Sequence, residues 1–173
     1  MTAPTGNKLN VAIRDAVAAD MEAVRSIYNY YVETSTATFD WEPQSEEQRA
    51  DWFLQHRRDD LPVIVAEADG RVIGWGSHSN YAERCGYKTT IEPSIYVHHE
   101  FIGKGVGRAL MEHLITLAGD RQYHVLVGKI CSENETSIRL CESFGFERIG
   151  ELREVGRKFD RWLNVVLVQK LIK

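Results

Sequence analysis

The chain has 173 residues, 43% of them hydrophobic and 27% charged, proportions that fit one soluble globular domain and exclude disordered, collagenous and repeat-array organisations. Its 21 Lys and Arg stand against 25 Asp and Glu, a net charge of -4. The basic surplus of a nucleic-acid binder is therefore missing.

Residues 1–8 are polar and rich in small side chains, and they read as loose. They contain no apolar leader, and no later apolar run reaches the roughly 20 residues that span a bilayer. Alternation through Val11 and Ile13 predicts a strand over 9–17. Asp20 then opens a helix on which Met21, Val24, Ile27, Tyr28 and Tyr31 share a face. The Thr- and Ser-rich segment 33–41 reads as a loop. Pro43 and Ser45 introduce a second helix over 45–57, with Trp52 and Phe53 as its apolar contacts. A short strand over 63–68, the turn pair Asp69-Gly70 and a returning strand over 72–79 form the strongest hairpin signal in the chain.

A polar stretch, 80–90, leads into a strand over 91–97 and then into Gly103-Lys104-Gly105-Val106-Gly107-Arg108. The helix that follows runs to about residue 121, with Leu110, Leu114 and Leu117 facing inward. A buried strand over 125–130, a helix over 134–144 ending at Gly145, and strands over 147–155 and 162–171 complete the order β-α-α-β-β-β-α-β-α-β-β. One domain, 1–173, with a mixed sheet and helices on its faces is the economical architecture. The central hairpins exclude a uniformly parallel doubly wound sheet. Cys85, Cys131 and Cys141 are widely spaced with no CxxC pair, which argues against a disulfide framework and against zinc, and predicts a cytoplasmic protein without a metal.

A strand, a Gly-rich turn and a helix in succession make an anion site, because unpaired backbone N–H groups and the helix dipole point at the same place. Gly103, Gly105 and Gly107 would let the backbone approach a pyrophosphate; a merely flexible connection is the alternative. The P-loop pattern is absent, and GxGxG without an acid at the end of the next strand does not make a dinucleotide fold.

The run from Ser94 to Leu110, SIYVHHEFIGKGVGRAL, resembles the acetyl-coenzyme A motif of the GNAT superfamily of N-acetyltransferases. Asn134-Glu135-Thr136-Ser137-Ile138-Arg139-Leu140, continuing to Phe144-Gly145-Phe146-Glu147, is similar to that superfamily's second block. Ile27-Tyr28-Asn29, Thr34-Ser35-Thr36, Ile91-Glu92-Pro93-Ser94 and the segment from Val155 to Trp162 resemble the phosphinothricin and methionine sulfoximine acetyltransferases. The likeness runs from about Val11 to Leu171.

The resemblance implies an α/β (α+β) fold with a mixed, mostly antiparallel sheet of about seven strands, helices on both faces, and a splay at the cofactor strand. Along Ile95, Tyr96 and Val97 that strand would pair with the pantetheine arm of acetyl-CoA. Backbone groups of Gly103, Lys104, Gly105, Val106, Gly107 and Arg108 would hold the pyrophosphate, and Asn134 would bond near the thiol. Ile102 departs from the superfamily, which usually has Gln or Arg there, and implies weaker cofactor affinity.

Acetyl transfer needs a free amine, a polarised carbonyl and a departing thiolate. Glu92 matches the subfamily's proposed general base. A Glu partly shielded from water suits the acceptance of a proton, directly or through a water; an exposed strand acid is the bland alternative. Cys141 stands where the superfamily often has Tyr and the subfamily His, so it is either a proton donor to the thiolate or a small core residue. Arg84 and Tyr87 match positions that line the acceptor pocket in the phosphinothricin enzymes. Lys88 is adjacent to them, and Ala82 replaces an arginine of the methionine sulfoximine relatives. Phe39 reads equally as a pocket wall or a core aromatic.

His98 and His99 are neighbours that should point apart and make a poor metal pair. His113 and His124 are isolated. Arg57-Arg58 and the cluster from Arg153 to Arg161 read as solvated faces, the latter also within reach of an acceptor pocket at a subunit boundary. Together these readings imply an acetyl-CoA-dependent N-acetyltransferase, homodimeric, acting on a small amine such as an amino acid or its analogue. A non-catalytic acyl-CoA sensor and a protein N-terminal acetyltransferase are the competing readings.

Overall fold

A computed structural model describes residues 9–172, so the expectation for residues 1–8 lies outside the described residues. The elements are β1 (Ala12–Asp15), α1 (Met21–Thr34), α2 (Glu46–Arg58), β2 (Val63–Ala68), β3 (Arg71–Asn80), β4 (Thr90–Val97), α3 (Val106–Asp120), β5 (Val125–Cys131), α4 (Glu135–Ser143), β6 (Glu147–Lys158) and β7 (Arg161–Leu171). They build one sheet of seven strands in the order β1-β2-β3-β4-β5-β7-β6. Only β4 and β5 run parallel; every other neighbouring pair is antiparallel.

Local chemistry explains most boundaries. Ser45 caps α2, its hydroxyl accepting from the Gln48 N–H at 3.1 Å while the Gln48 side chain accepts from the Ser45 N–H at 2.8 Å. Asp69 (φ 51°) and Gly70 (φ 74°) form the two-residue turn between β2 and β3. The turn between β6 and β7 uses Phe159 (φ 50°) and Asp160 (φ 55°), a left-handed pair without glycine. That is why β6 runs on to Lys158 rather than ending at residue 155. The first strand is shorter than alternation suggests, because only Ala12–Asp15 pair with β2.

Strand β2 is apolar on both faces, and its alternation divides the core. Val63 and Val65 meet Met21, Val24, Ile27 and Phe53 of α1 and α2. Ile64 and Ala66 meet Val106, Leu110 and Leu114 of α3 on the other side. Ile138 and Cys141 of α4 pack with Met111, Leu126, Val166 and Val168 on that same second side. Helices thus cover both faces of the sheet. Burial of each such aliphatic side chain contributes about 1.5–3 kcal/mol.

The sheet is not continuous at its middle. β4 and β5 pair only at Thr90↔Val125 and Ile91↔Leu126. Beyond that point β4 follows β3 and β5 follows β7. The two strands splay, and β4 keeps an open edge from Glu92 to Val97. Among the described residues no helix is long and apolar enough to cross a membrane.

Candidate active site

The splay opens into a cleft of about 660 Å3, a volume typical of small-molecule sites. Its wall runs from Glu92 along β4 to Val97, across the loop at Gly103 and Gly105 to Arg108, and back along α4 from Asn134 to Cys141.

The loop end has the chemistry that could hold an anion. Gly103 (φ 78°) and Gly105 (φ 85°) hold left-handed conformations, and a Cβ on either would meet nothing within 4 Å, so the loop surface is open. Gly105 caps α3 and its carbonyl accepts the first intrahelical bond, from the Ala109 N–H at 3.1 Å. The N–H groups of Val106, Gly107 and Arg108 therefore have no partner within the helix and stand at its positive end. The Lys104 N–H is different, since it donates to the Phe101 carbonyl at 3.3 Å. What Lys104 offers is its ammonium, 4.8 Å from the Phe101 ring centroid. The Arg108 guanidinium lies 4.9 Å from the Phe144 centroid. Ile102 is exposed and supplies no polar group.

Along β4 the side chains point elsewhere, leaving the backbone edge to the gap. The Tyr96 ring stacks on Trp75 with centroids 4.9 Å apart, and burial pushes its hydroxyl pKa well above the usual range for tyrosine. Ile95 packs toward α3. The Val97 carbonyl accepts from the Tyr31 hydroxyl, so that acceptor is already used.

At the other end Glu92 stands just past the last β4–β5 pair, and its Oε2 lies 2.8 Å from the Lys129 Nζ of β5. This ion pair bridges the mouth of the splay. Glu92 is half-buried, and its partner is a cation rather than an apolar wall. Lys129 itself was not singled out from the sequence. The available signal was a lone charge in the run Val125–Cys131, which otherwise reads as a buried strand. The Lys129 Nζ lies 5.3 Å from the Tyr81 centroid, and Tyr81 meets Tyr87 edge-on at 5.5 Å. Tyr87 thereby connects to Glu92 through Tyr81 and Lys129. Arg84 and Lys88 flank the same 3-10 turn, Cys85–Tyr87, and are exposed.

Asn134 lines the cleft as the N-cap of α4, its side-chain oxygen accepting from the Ser137 N–H at 3.2 Å. Cys141 also lines the cleft but sits in the α3–α4 core, and burial, with Glu142 nearby, pushes its thiol up to about 11. Phe39 lies away from the cleft wall, packed against Gly156 of β6.

Two expectations about charged groups need correction. His98 and His99 do not point apart: a 3-10 turn, His99–Phe101, stacks their rings with centroids 4.5 Å apart. The cluster from Arg153 to Arg161 is not wholly solvated, because Lys158 is only 4% exposed and donates to the Thr38 carbonyl at 2.8 Å. Among the described residues no group of three or more His, Cys, Asp or Glu is placed to hold a metal ion.

Comparison with known proteins places this geometry in a family. Residues 24–146 match the family described as Acetyltransferase (GNAT) family. An L-methionine sulfoximine/L-methionine sulfone acetyltransferase of Pseudomonas aeruginosa is 37% identical over 162 residues, covering 93% of this chain and 94% of the relative. A phosphinothricin N-acetyltransferase of Streptomyces coelicolor is 33% identical over 163 residues, covering 92% and 95%. The solved structure of a putative acetyltransferase from Salmonella typhimurium with its cofactor acetyl-CoA superposes with a TM-score of 0.91 at 36% identity, covering 94% of each chain. A sheet splayed between β4 and β5, an open glycine loop at the head of α3 and relatives that match over more than nine-tenths of the chain agree: the chain belongs to the GNAT family of acetyltransferases.

Proposed function

We propose that the protein is an acetyl-CoA-dependent N-acetyltransferase acting on the amine of a small amino acid or amino-acid analogue, of the methionine sulfoximine or phosphinothricin kind. The observation that carries the reading is the continuous cleft joining the open N-terminus of α3 to the carboxylate of Glu92 along the unpaired edge of β4. The printed activities of the relatives support the acceptor class.

The residues present fit acetyl-CoA. The unpaired N–H groups at the head of α3, with Lys104 and Arg108 beside them, suit a pyrophosphate. The β4 edge suits the amide groups of a pantetheine arm, and Asn134 presents its amide nitrogen from the facing helix. Bound there, acetyl-CoA supplies an activated acetyl thioester. Glu92 lies at the end of this track and takes a proton from the acceptor's ammonium at its carboxylate, which leaves the amine free to attack. Cys141 fits a packing role better than an acid role. A thiol raised to about 11 gives up its proton less readily than an ordinary thiol near 8.5, so proton transfer to a departing thiolate runs uphill.

The further parts of the reading are a cytoplasmic setting, supported by three free cysteines, and pairing with a second copy, supported by the exposed apolar side chains of β6 and β7. Thiol release from acetyl-CoA across a panel of amino acids tests the whole. Turnover with a free amino acid, reduced roughly 100-fold or more in Glu92→Gln, is expected. An unchanged rate in that variant removes Glu92 as base. Cofactor binding without release for any acceptor leaves a sensor domain.

A further inference from the structure

Three cations line the cleft: Arg108, Arg139 and Lys129. Arg108 leans over Phe144 at the phosphate end, and Arg139 is tied to Glu135 one turn away on its own helix. Lys129 alone stands at the Glu92 end. Arg84, which the resemblance matches to an acceptor-pocket position, and the adjacent Lys88 lie on the exposed loop and form no part of the cleft wall.

Resting on the acetyltransferase reading above, we infer that Lys129 selects acceptors bearing a free α-carboxylate, by exchanging its ion pair with Glu92 for one with the substrate. The Glu92–Lys129 pair is a contact pair of opposite charges, N to O 2.8 Å, spanning the two strands that part at this point. A zwitterionic amino acid carries the complementary pair, an ammonium and a carboxylate on one carbon. Its insertion replaces one ion pair by two, ammonium to Glu92 and carboxylate to Lys129. The Lys129 side chain is 44% exposed and that of Glu92 24%, so opening their contact costs little.

Three consequences follow from the same geometry. The resident pair keeps both charges neutralised before substrate arrives. Occupation by the zwitterion presents the ammonium to the base, where its proton passes to the Glu92 carboxylate. An amine without the adjacent carboxylate takes Glu92 and strands the Lys129 ammonium, which disfavours simple amines, amino-acid amides and peptide N-termini. Tyr81, with its ring 5.3 Å from Nζ, keeps Lys129 directed toward the mouth.

The experiment compares methionine sulfoximine with its carboxamide in wild type, Lys129→Met, Lys129→Arg and Arg84→Met, by steady-state thiol release and by calorimetric binding. In Lys129→Met the KM and Kd for the free acid rise at least tenfold, while those for the amide change less than threefold. Lys129→Arg retains most of the preference, and Arg84→Met leaves it intact. Equal losses for acid and amide in Lys129→Met would reduce Lys129 to a support for Glu92 and overturn the inference. Loss of the preference in Arg84→Met alone would assign carboxylate recognition to the loop. If wild type binds the acid but turns over no acceptor, the acetyltransferase reading fails separately, and the calorimetric comparison still decides the role of Lys129.

Discussion

The ring of Phe39 fills the space that a Cβ on Gly156 would occupy. This contact joins the loop after α1 to β6, and two polar contacts reinforce it. Lys158, two residues on, donates to the Thr38 carbonyl at 2.8 Å, and the Trp41 indole N–H donates to the Arg157 carbonyl at 3.0 Å. Gly156→Ala therefore overpacks the contact at a cost of about 1–3 kcal/mol and lowers Tm by roughly 2–10 °C. Phe39→Ala added to it recovers part of the loss, a non-additivity expected of residues in direct contact. A Gly156→Ala protein as stable as wild type in thermal melts would show that the loop yields freely.

His78 on β3 is fully buried, neither ring nitrogen makes a hydrogen bond of normal geometry among the described residues, and its pKa is pushed from 6.5 down to about 4, first by burial and then by the nearby Arg121 charge. As pH falls the unfolded chain therefore binds a proton before the folded one does. The stability that neutral His78 contributes is whole above its unfolded pKa of 6.5 and is lost between there and about 4. By pH 5 the loss is about 2 kcal/mol, or roughly 4–8 °C in Tm. Burial displaces His56 in the same direction and adds to the slope. In His78→Phe most of the fall in Tm between pH 7 and pH 5 disappears. An unchanged acid slope in that variant would place the linkage elsewhere.

The fold was largely legible in the sequence because its signals are local. The apolar face of α1, the Asp69-Gly70 turn and the apolar run of β2 each carry their own pattern, and the element order follows from them. What escaped depends on partners distant in sequence. Phe159 and Asp160 make a left-handed turn with no glycine to announce it. Lys158 is buried where a loop 120 residues earlier offers it the Thr38 carbonyl. In the site, the glycine loop and Glu92 were visible through motif and resemblance. Lys129 was not, since its meaning arises only when β5 parts from β4 beside Glu92.

The left-handed cap at Gly105 bears on cofactor binding rather than on the core. At φ 85° a β-branched residue costs about 1–2 kcal/mol, and relief of that strain tilts the head of α3 away from its anion-binding geometry. Gly105→Val should raise the KM for acetyl-CoA about tenfold or more while kcat at saturation changes less and Tm falls by only a few degrees. An unaltered KM would mean that the first-turn N–H groups do not hold the phosphates.

Cys141 and Cys85 separate packing from reactivity. The buried Cys141 thiol stays protonated through the neutral range, whereas Cys85 is exposed. Iodoacetamide at pH 8 should label Cys85 and spare Cys141 in the folded protein. Cys141→Ala should cost about 1 kcal/mol of stability and leave kcat within about threefold of wild type. A fall of 100-fold or more, rescued by Cys141→Tyr, would restore the thiol as a proton donor.

β6 is an edge strand whose exposed side chains include Ile149, Leu152 and Val155, and beside it Trp162 of β7 is 64% exposed. Four large apolar side chains exposed on two paired strands at a sheet edge mark a candidate interaction face. Glu151, Arg153, Glu154 and Arg157 intersperse charges of both signs among these groups, the pattern of a surface that can meet a copy of itself about a two-fold axis. Light scattering should therefore give twice the chain mass for the wild type. Trp162→Glu, which places a charge at the most exposed aromatic of the strand pair, should give the monomer mass with the circular dichroism spectrum retained. A wild type of monomer mass at micromolar concentration would leave this face to some other role, whereas a Trp162→Glu protein that still dimerises would move the interface off β7.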